Sequence, residues 1–167
     1  MGLADGPSTS LGMTSMTNYW LMKSEPETYS IADLKRDKAT AWEGVRNFQA
    51  RNFMKAMKKG DLVLFYHSNC DDKGVHGVGS VSKEAYPDAS AQNSKSPYYD
   101  PRAKTNPEIW MHVDLAWKQS FSRFVSLEDI KKHKALQNMR LVQKGNRLSV
   151  FPVSKAEFET IVALGNQ

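Results

Sequence analysis

The sequence predicts an α+β domain built on a mixed β pseudobarrel with short helices around it. Three observations lead there. Apolar runs of strand length recur along the chain, among them YWLM, LVLFYHS, VHGVGSV and EIWMHVDLAW. Helix-start signatures fall between them in no regular strand–helix alternation, which disfavours a doubly wound parallel sheet and favours a strongly curved one. No internal repeat is present.

Composition sets the bounds. At 167 residues the chain suits one domain able to bury about two thirds of its unfolded surface. The single cysteine, Cys70, excludes an internal disulfide and a thiolate cluster, which reads as an intracellular protein. No apolar run approaches the roughly 18 residues of a membrane span, and the N-terminus lacks a signal-peptide pattern. A net charge of +5, from 23 Lys and Arg against 18 Asp and Glu, weakly favours a polyanionic partner. The basic residues are scattered, so solvated helix faces account for them equally well.

The elements follow in order. Residues 1–17, rich in Gly, Ser and Thr, are expected to form a disordered tail, with the domain spanning residues 18–167. Tyr19 to Met22 form a strand that closes at Lys23-Ser24-Glu25-Pro26. Ser30 with Asp33, Ser126 with Asp129 and Ser154 with Glu157 each place a capping hydroxyl three residues before a carboxylate, so three helices start there. A short strand at 39–42 leads into a hinge at Gly44 and a helix that ends near Gly60. Residues 62–68, apolar on both faces, read as a central strand, and 75–81 as its neighbour.

Residues 85–107 carry Pro87, Pro97, Pro101 and Pro107 with no regular period, and read as a long functional loop. In the strand at 108–117, Ile109, Met111, Val113, Leu115 and Trp117 alternate with Trp110, His112, Asp114 and Ala116, which gives one buried face. A last strand at 147–153 has Pro152 at an edge or at its own end, and the closing helix carries a stripe of Phe158, Ile161 and Val162.

Candidate chemistry is narrow. Cys70 sits beside Asp71 and Asp72, which disfavour a thiolate. The four histidines, His67, His76, His112 and His133, have no metal-ligand spacing, and no phosphate loop occurs, so neither metal nor cofactor is expected. What remains is a set of polar and aromatic residues at segment ends: Lys23, Ser24 and Glu25; Trp42 with Arg46 and Asn47; Tyr66, His67 and Ser68; and Tyr98, Tyr99 and Asp100. Aromatics beside groups that donate and accept hydrogen bonds suit a pocket for one planar heterocycle. Each Trp or Tyr taken alone is more often a core residue or loop anchor.

Six separated motifs, MKSEPETYSIADL, AWEGVRNFQARNFM, FYHSNC, KEAYPD, YYDP and RLSVFPV, occur in the order and spacing of the EVE domain. Over about residues 18–165 the chain resembles that family, close to its bacterial stand-alone members, and through it the PUA-like superfamily. The resemblance implies a PUA-like pseudobarrel and a non-enzymatic, monomeric reader of a modified base in DNA or RNA, with modified cytosine such as 5-methylcytosine favoured. The base would be flipped out of its duplex. A bacterial member would be cytoplasmic and an animal one nuclear. By matching motif the pocket would use Lys23, Ser24, Glu25, Trp42, Arg46, Asn47, Tyr66, His67, Ser68, Tyr99 and Asp100. Two alternatives stand beside this reading. One is an RNA-binding PUA-like module, and the other a nucleic-acid-modifying enzyme with Asp100 or Glu25 as acid or base beside His67.

Three roles follow. Trp42, at a strand end before a glycine, is expected to be a pocket wall rather than core. Tyr99 and Asp100 are expected to close over the ligand from the long loop, with residues 88–96 mobile when the pocket is empty. Arg46 shares a helical stripe with Ala50, Phe53, Met54 and Met57, which places a cation at a helix N-terminus against the macrodipole at a cost of about 0.3–1 kcal/mol. Its compensation is either an ion pair with Glu25 or Glu43, or a phosphate flanking the flipped base.

Overall fold

The computed structural model describes residues 16–167. The tail expected over residues 1–17 therefore lies outside the described residues, apart from Met16 and Thr17. Six strands form one mixed sheet: β1 (Tyr19–Ser24), β2 (Ala39–Ala41), β3 (Leu62–His67), β4 (Gly74–Pro87), β5 (Met111–Ser126) and β6 (Val150–Val153). Their spatial order is β2-β5-β4-β3-β1-β6, so the sheet is curved but open, with β2 and β6 at its edges. Strands β1 and β3 are parallel, and every other neighbouring pair is antiparallel. Four helices surround the sheet: α1 (Ile31–Asp37), α2 (Phe48–Ala56), α3 (Leu127–Lys132) and α4 (Lys155–Gly165).

Alternation along the central strands feeds two cores. Trp20, Met22, Val63 and Phe65 face one side, where Leu34 of α1 and Ala50 and Met54 of α2 cover them. Leu21, Leu64 and Tyr66 face the other, against Ile130 of α3 and Phe158 and Ile161 of α4. That two-sided burial is why β1 and β3 read as continuous apolar runs. Pro152 pairs with Trp20 on the edge strand β6, where its missing N–H costs no ladder bond toward a further strand. Asp61, almost fully buried, holds the start of β3 by accepting from the Trp20 Nε1–H at 3.0 Å and from the Lys58 N–H at 2.9 Å.

The capping signals operate as expected. Ser30 and Ser154 form reciprocal boxes with Asp33 and Glu157, and the Ser126 hydroxyl accepts from the Asp129 N–H. Other boundaries differ from the sequence expectation. Strand β4 runs on to Pro87, and β5 begins at Met111 and continues to Ser126. The two pair along most of their length with several register shifts, which bend the sheet and blur the period-two signal that would have marked them.

The segment expected to be an irregular loop is also organised. It folds into three 3-10 turns, Ala89–Gln92, Pro101–Lys104 and Pro107–Ile109, around a small core of Ala91, Ala103, Ile109 and Trp110. Asp88 and Asp100 cap two of these turns from residues that the proline pattern does not mark. Local Asx capping replaces the repeating hydrogen bonds that periodicity detects.

Candidate nucleic-acid interface

Strands β1 and β2 end on the same side of the molecule. The turn after β1, the segment after β2 and the tip of the 88–109 segment enclose a cleft of about 470 Å³. That volume is within the usual range for a small-ligand site. Lys23, Ser24 and Glu25 line it from the exit of β1, Trp42 and Arg46 from the segment after β2, and Tyr98 from the opposite wall.

Trp42 is both lining and core. It is 8% exposed, packs edge-on against Phe65 with ring centroids 5.5 Å apart, and belongs to the apolar cluster beneath α2. The expectation that a tryptophan at a strand end lies outside the core is therefore corrected. The neighbouring strand β5 extends the sheet past β2, and the Trp42 N–H still donates to the Val113 carbonyl at 2.9 Å.

The hinge is built around Gly44. Its φ is +89°, and a Cβ at this position would stand 2.8–2.9 Å from the Tyr98 ring. Backbone conformation and close aromatic approach both demand glycine there. The chain then passes Arg46 and enters α2 at Phe48, with Asn47 as its N-cap, its side chain accepting from the Ala50 N–H at 2.9 Å.

Arg46 thus precedes the helix and is not on its apolar stripe. The guanidinium has five N–H groups, and all are engaged within the protein. Nε donates to the Tyr98 carbonyl at 3.1 Å, Nη1 to the Val45 carbonyl and to Asp88 Oδ2 at 2.9 and 3.0 Å, and Nη2 to the Tyr98 carbonyl and Ser90 Oγ at 2.7 and 3.3 Å. Its ion-pair partner is Asp88, not Glu25 or Glu43. That partner lies 42 residues away in sequence, where no helical wheel could place it.

Asp88 is fully buried. Burial pushes its carboxyl pKa up, but the Gly44 N–H, the Ser90 hydroxyl and the Arg46 guanidinium together outweigh that, and the group ends below the usual carboxylate range. One carboxylate thus ties the hinge to the 88–109 segment, with the Gly44 N–H at 2.9 Å and the Ser90 N–H at 2.9 Å.

The charges at the cleft are of both signs. Among the described residues Lys23, Glu25 and Glu43 line the cleft without forming an ion pair. The Lys23 ammonium lies 5.7 Å from the Tyr66 ring and 5.8 Å from that of Phe151, and burial lowers its pKa from the ordinary lysine value. The Ser24 hydroxyl donates to the Tyr29 carbonyl at 2.6 Å and fixes the turn that presents Glu25. A cleft with unpaired donors and acceptors between aromatic walls can grip a flat, polar ring by its edges.

The remaining sequence candidates fall outside the lining. Asn47 caps α2. Tyr66 is buried in the core beneath α3 and α4, and burial raises its phenol pKa to about 12. The Ser68 N–H donates to the Ser24 carbonyl at 2.9 Å. Tyr99 is half-buried, with Lys104 6.0 Å from its ring. Asp100 receives the Trp110 Nε1–H at 2.8 Å and the Arg102 guanidinium, and Arg102 first, then Trp110, hold its carboxyl far below the usual range. Tyr98, one residue before Tyr99, is the loop aromatic that reaches the cleft. The signal that separates them is the Gly44 contact, which sequence does not carry.

His67 has a structural role. Its Nε2 accepts the Ile31 N–H at 3.1 Å, satisfying one of the free donors at the start of α1, and its ring stacks on His76 at 3.9 Å. Burial first, then the neighbouring His76, lower its pKa to about 4. The unfolded chain takes up a proton near pH 6.5 that the folded chain refuses until about pH 4. Stability from this group is therefore complete above about pH 6.5 and is lost as pH falls toward 4, by on the order of 2–3 kcal/mol. Thermal unfolding followed between pH 7 and 4 is expected to show this slope, and His67→Gln, which keeps an acceptor but does not titrate, to abolish it. A slope that survives in His67→Gln assigns it to another group.

Among the described residues no helix is long and apolar enough to cross a membrane, and no group of three His, Cys, Asp or Glu is placed to hold a metal ion. Residues 18–164 match the sequence profile of the EVE domain. Thymocyte nuclear protein 1 of Mus musculus is 44% identical over 172 residues, which cover 92% of this chain and 76% of that protein. A crystal structure of a protein from Pseudomonas putida is 46% identical, with a TM-score of 0.85 over 88% of this chain and 99% of that one. The human THYN1 protein, solved in complex with DNA containing 5-methylcytosine, is 40% identical, with a TM-score of 0.84 over 90% of this chain and 99% of that one.

Proposed function

This chain belongs to the EVE domain family, and on that premise we propose that it is a non-enzymatic reader that seats one flipped, modified cytosine of DNA in the cleft between Trp42 and Tyr98. The observation that carries the reading is the cleft itself. Among the described residues Lys23, Glu25 and Glu43 line it without ion-pair partners, in company with the Trp42 indole and the Tyr98 phenol. Cytosine presents an amino donor beside ring and carbonyl acceptors, so a carboxylate and an ammonium at one site match its edge. The likeness to a relative solved with 5-methylcytosine DNA supports the same choice of base.

Acid–base chemistry finds less support. Of the groups that would carry it, His67 accepts the Ile31 N–H at the start of α1 and Asp100 is held ionised by Arg102 and Trp110, and neither lines the cleft that Glu25 lines.

The test is competition between duplexes that differ by one methyl group at one cytosine, at fixed salt near the physiological value. A methyl in a fitted pocket is worth roughly 10- to 200-fold, so preference for the methylated duplex is expected toward the lower end of that range. Equal affinity for both duplexes, a preference for RNA of the same sequence, or release of free base on prolonged incubation would each overturn the reading.

A further inference from the structure

Phe48 and Tyr98 are the exposed large aromatic residues of the described chain, at 46% and 37%. They stand at the two ends of one continuous series of contacts. Tyr98 forms the cleft wall, with the Arg46 guanidinium 5.7 Å from its ring. The same guanidinium lies 5.3 Å from the Trp110 ring. Trp110 stacks on Phe48, with centroids 4.7 Å apart and planes within 15°.

Arg51 closes the series. Its guanidinium lies 4.9 Å from the Phe48 ring, while Nη1 donates to the Ile109 carbonyl at 2.9 Å. The exposed Phe48 ring is thus stacked against a tryptophan, with a guanidinium held over it. Folding does not explain its exposure. Phe48 keeps nearly half of its surface in contact with water, which the hydrophobic effect disfavours.

We propose that Phe48 is a second stacking site, one that takes the nucleobase adjacent to the base in the cleft. The inference rests on the cleft as the seat of the first base and deepens that reading. A strand with one base withdrawn leaves the neighbouring base with an unstacked face, and apolar side chains inserted at such steps are a general device of proteins that distort DNA. A preordered aromatic does this with little loss of side-chain freedom, and base–aromatic stacking is tolerant of sequence, so the site would add affinity without choosing the neighbour. Arg51, with its guanidinium over the ring, supplies positive charge to the same surface. The occupant is a purine or pyrimidine ring of the same strand. A protein partner, the other class that an exposed aromatic could serve, is disfavoured by the cationic flank and by the continuity of the series with the cleft.

The experiment is a double-mutant cycle between protein and ligand. Short single strands carrying one central 5-methylcytosine are made with an intact base or an abasic position on its 5′ side, and likewise on its 3′ side. Each is titrated against the wild-type protein, Phe48→Ala, and Phe48→Leu, which keeps apolar bulk over Trp110 without a π face. For one of the two flanks the abasic position is expected to weaken wild-type binding by roughly 5- to 150-fold. Both variants are expected to show that same weakening on the intact strand and to be nearly insensitive to the abasic position, because each change removes the same contact. Losses that multiply on both flanks, or variants that bind the intact strand as the wild type does, overturn the proposal. Should the wild type bind methylated and unmethylated strands equally while the Phe48 coupling persists, the reading of the cleft fails and the stacking site stands.

Discussion

Trp42→Ala is expected to destabilise the domain by about 3–5 kcal/mol, the usual cost of removing a buried aromatic from a packed core. The indole is 8% exposed and its edge-on partner Phe65 is fully buried, so the void opens between the sheet and α2, where neither can collapse into it. Domains of this size have about 5–15 kcal/mol in total, so the variant loses a large share of its stability. The measurement is the shift in urea midpoint at unchanged slope. Trp42→Phe separates the two duties of this residue. It keeps an aromatic ring against Phe65 and is expected to lose well under half as much stability, while the cleft loses the larger indole surface and its affinity for the modified base falls. If Trp42→Ala unfolds at the wild-type midpoint, the side chain is a wall of the cleft and not part of the core.

Asp88→Ala is expected to cost about 3–5 kcal/mol as well, by another route: it removes the fully buried carboxylate that accepts from the Arg46 guanidinium and the Gly44 N–H. The pair as a whole adds less than its disruption costs, because the carboxylate was fully desolvated to make it and the guanidinium in large part. Since the Arg46 guanidinium also carries the Tyr98 carbonyl, the rim of the cleft loosens with it. Asp88→Ala is therefore expected to weaken base binding even at temperatures where the variant is fully folded. Asp88→Asn, which retains acceptor capacity but no charge, should fall between the two proteins in both assays. A Tm and an affinity that match the wild type in Asp88→Ala would remove this carboxylate from the support of the cleft.

Much of this molecule was legible before folding. Three side-chain caps, two of them reciprocal boxes, start their helices where Ser30, Ser126 and Ser154 stand, because a cap is a contact across three residues and depends on nothing distant. The strands β1 and β3 were visible as apolar runs because two cores demand apolar side chains on both faces. Five of the eleven site candidates, Lys23, Ser24, Glu25, Trp42 and Arg46, line the cleft, all of them in segments that leave a strand.

The sequence by itself determined the composition of each element, the local caps, the glycine at the hinge and the family to which the whole pattern belongs. Tertiary structure alone decided what the hinge leans on. Tyr98 and not Tyr99 forms the wall, Asp88 and not Glu25 or Glu43 meets Arg46, and His67 serves the start of α1 although it lies 36 residues beyond Ile31. Sequence periodicity reports hydrophobic burial, which is additive along an element and nearly blind to partner identity. A hydrogen bond or an ion pair within 3 Å depends on where two remote segments come to rest, and that is set by packing of the two cores between them.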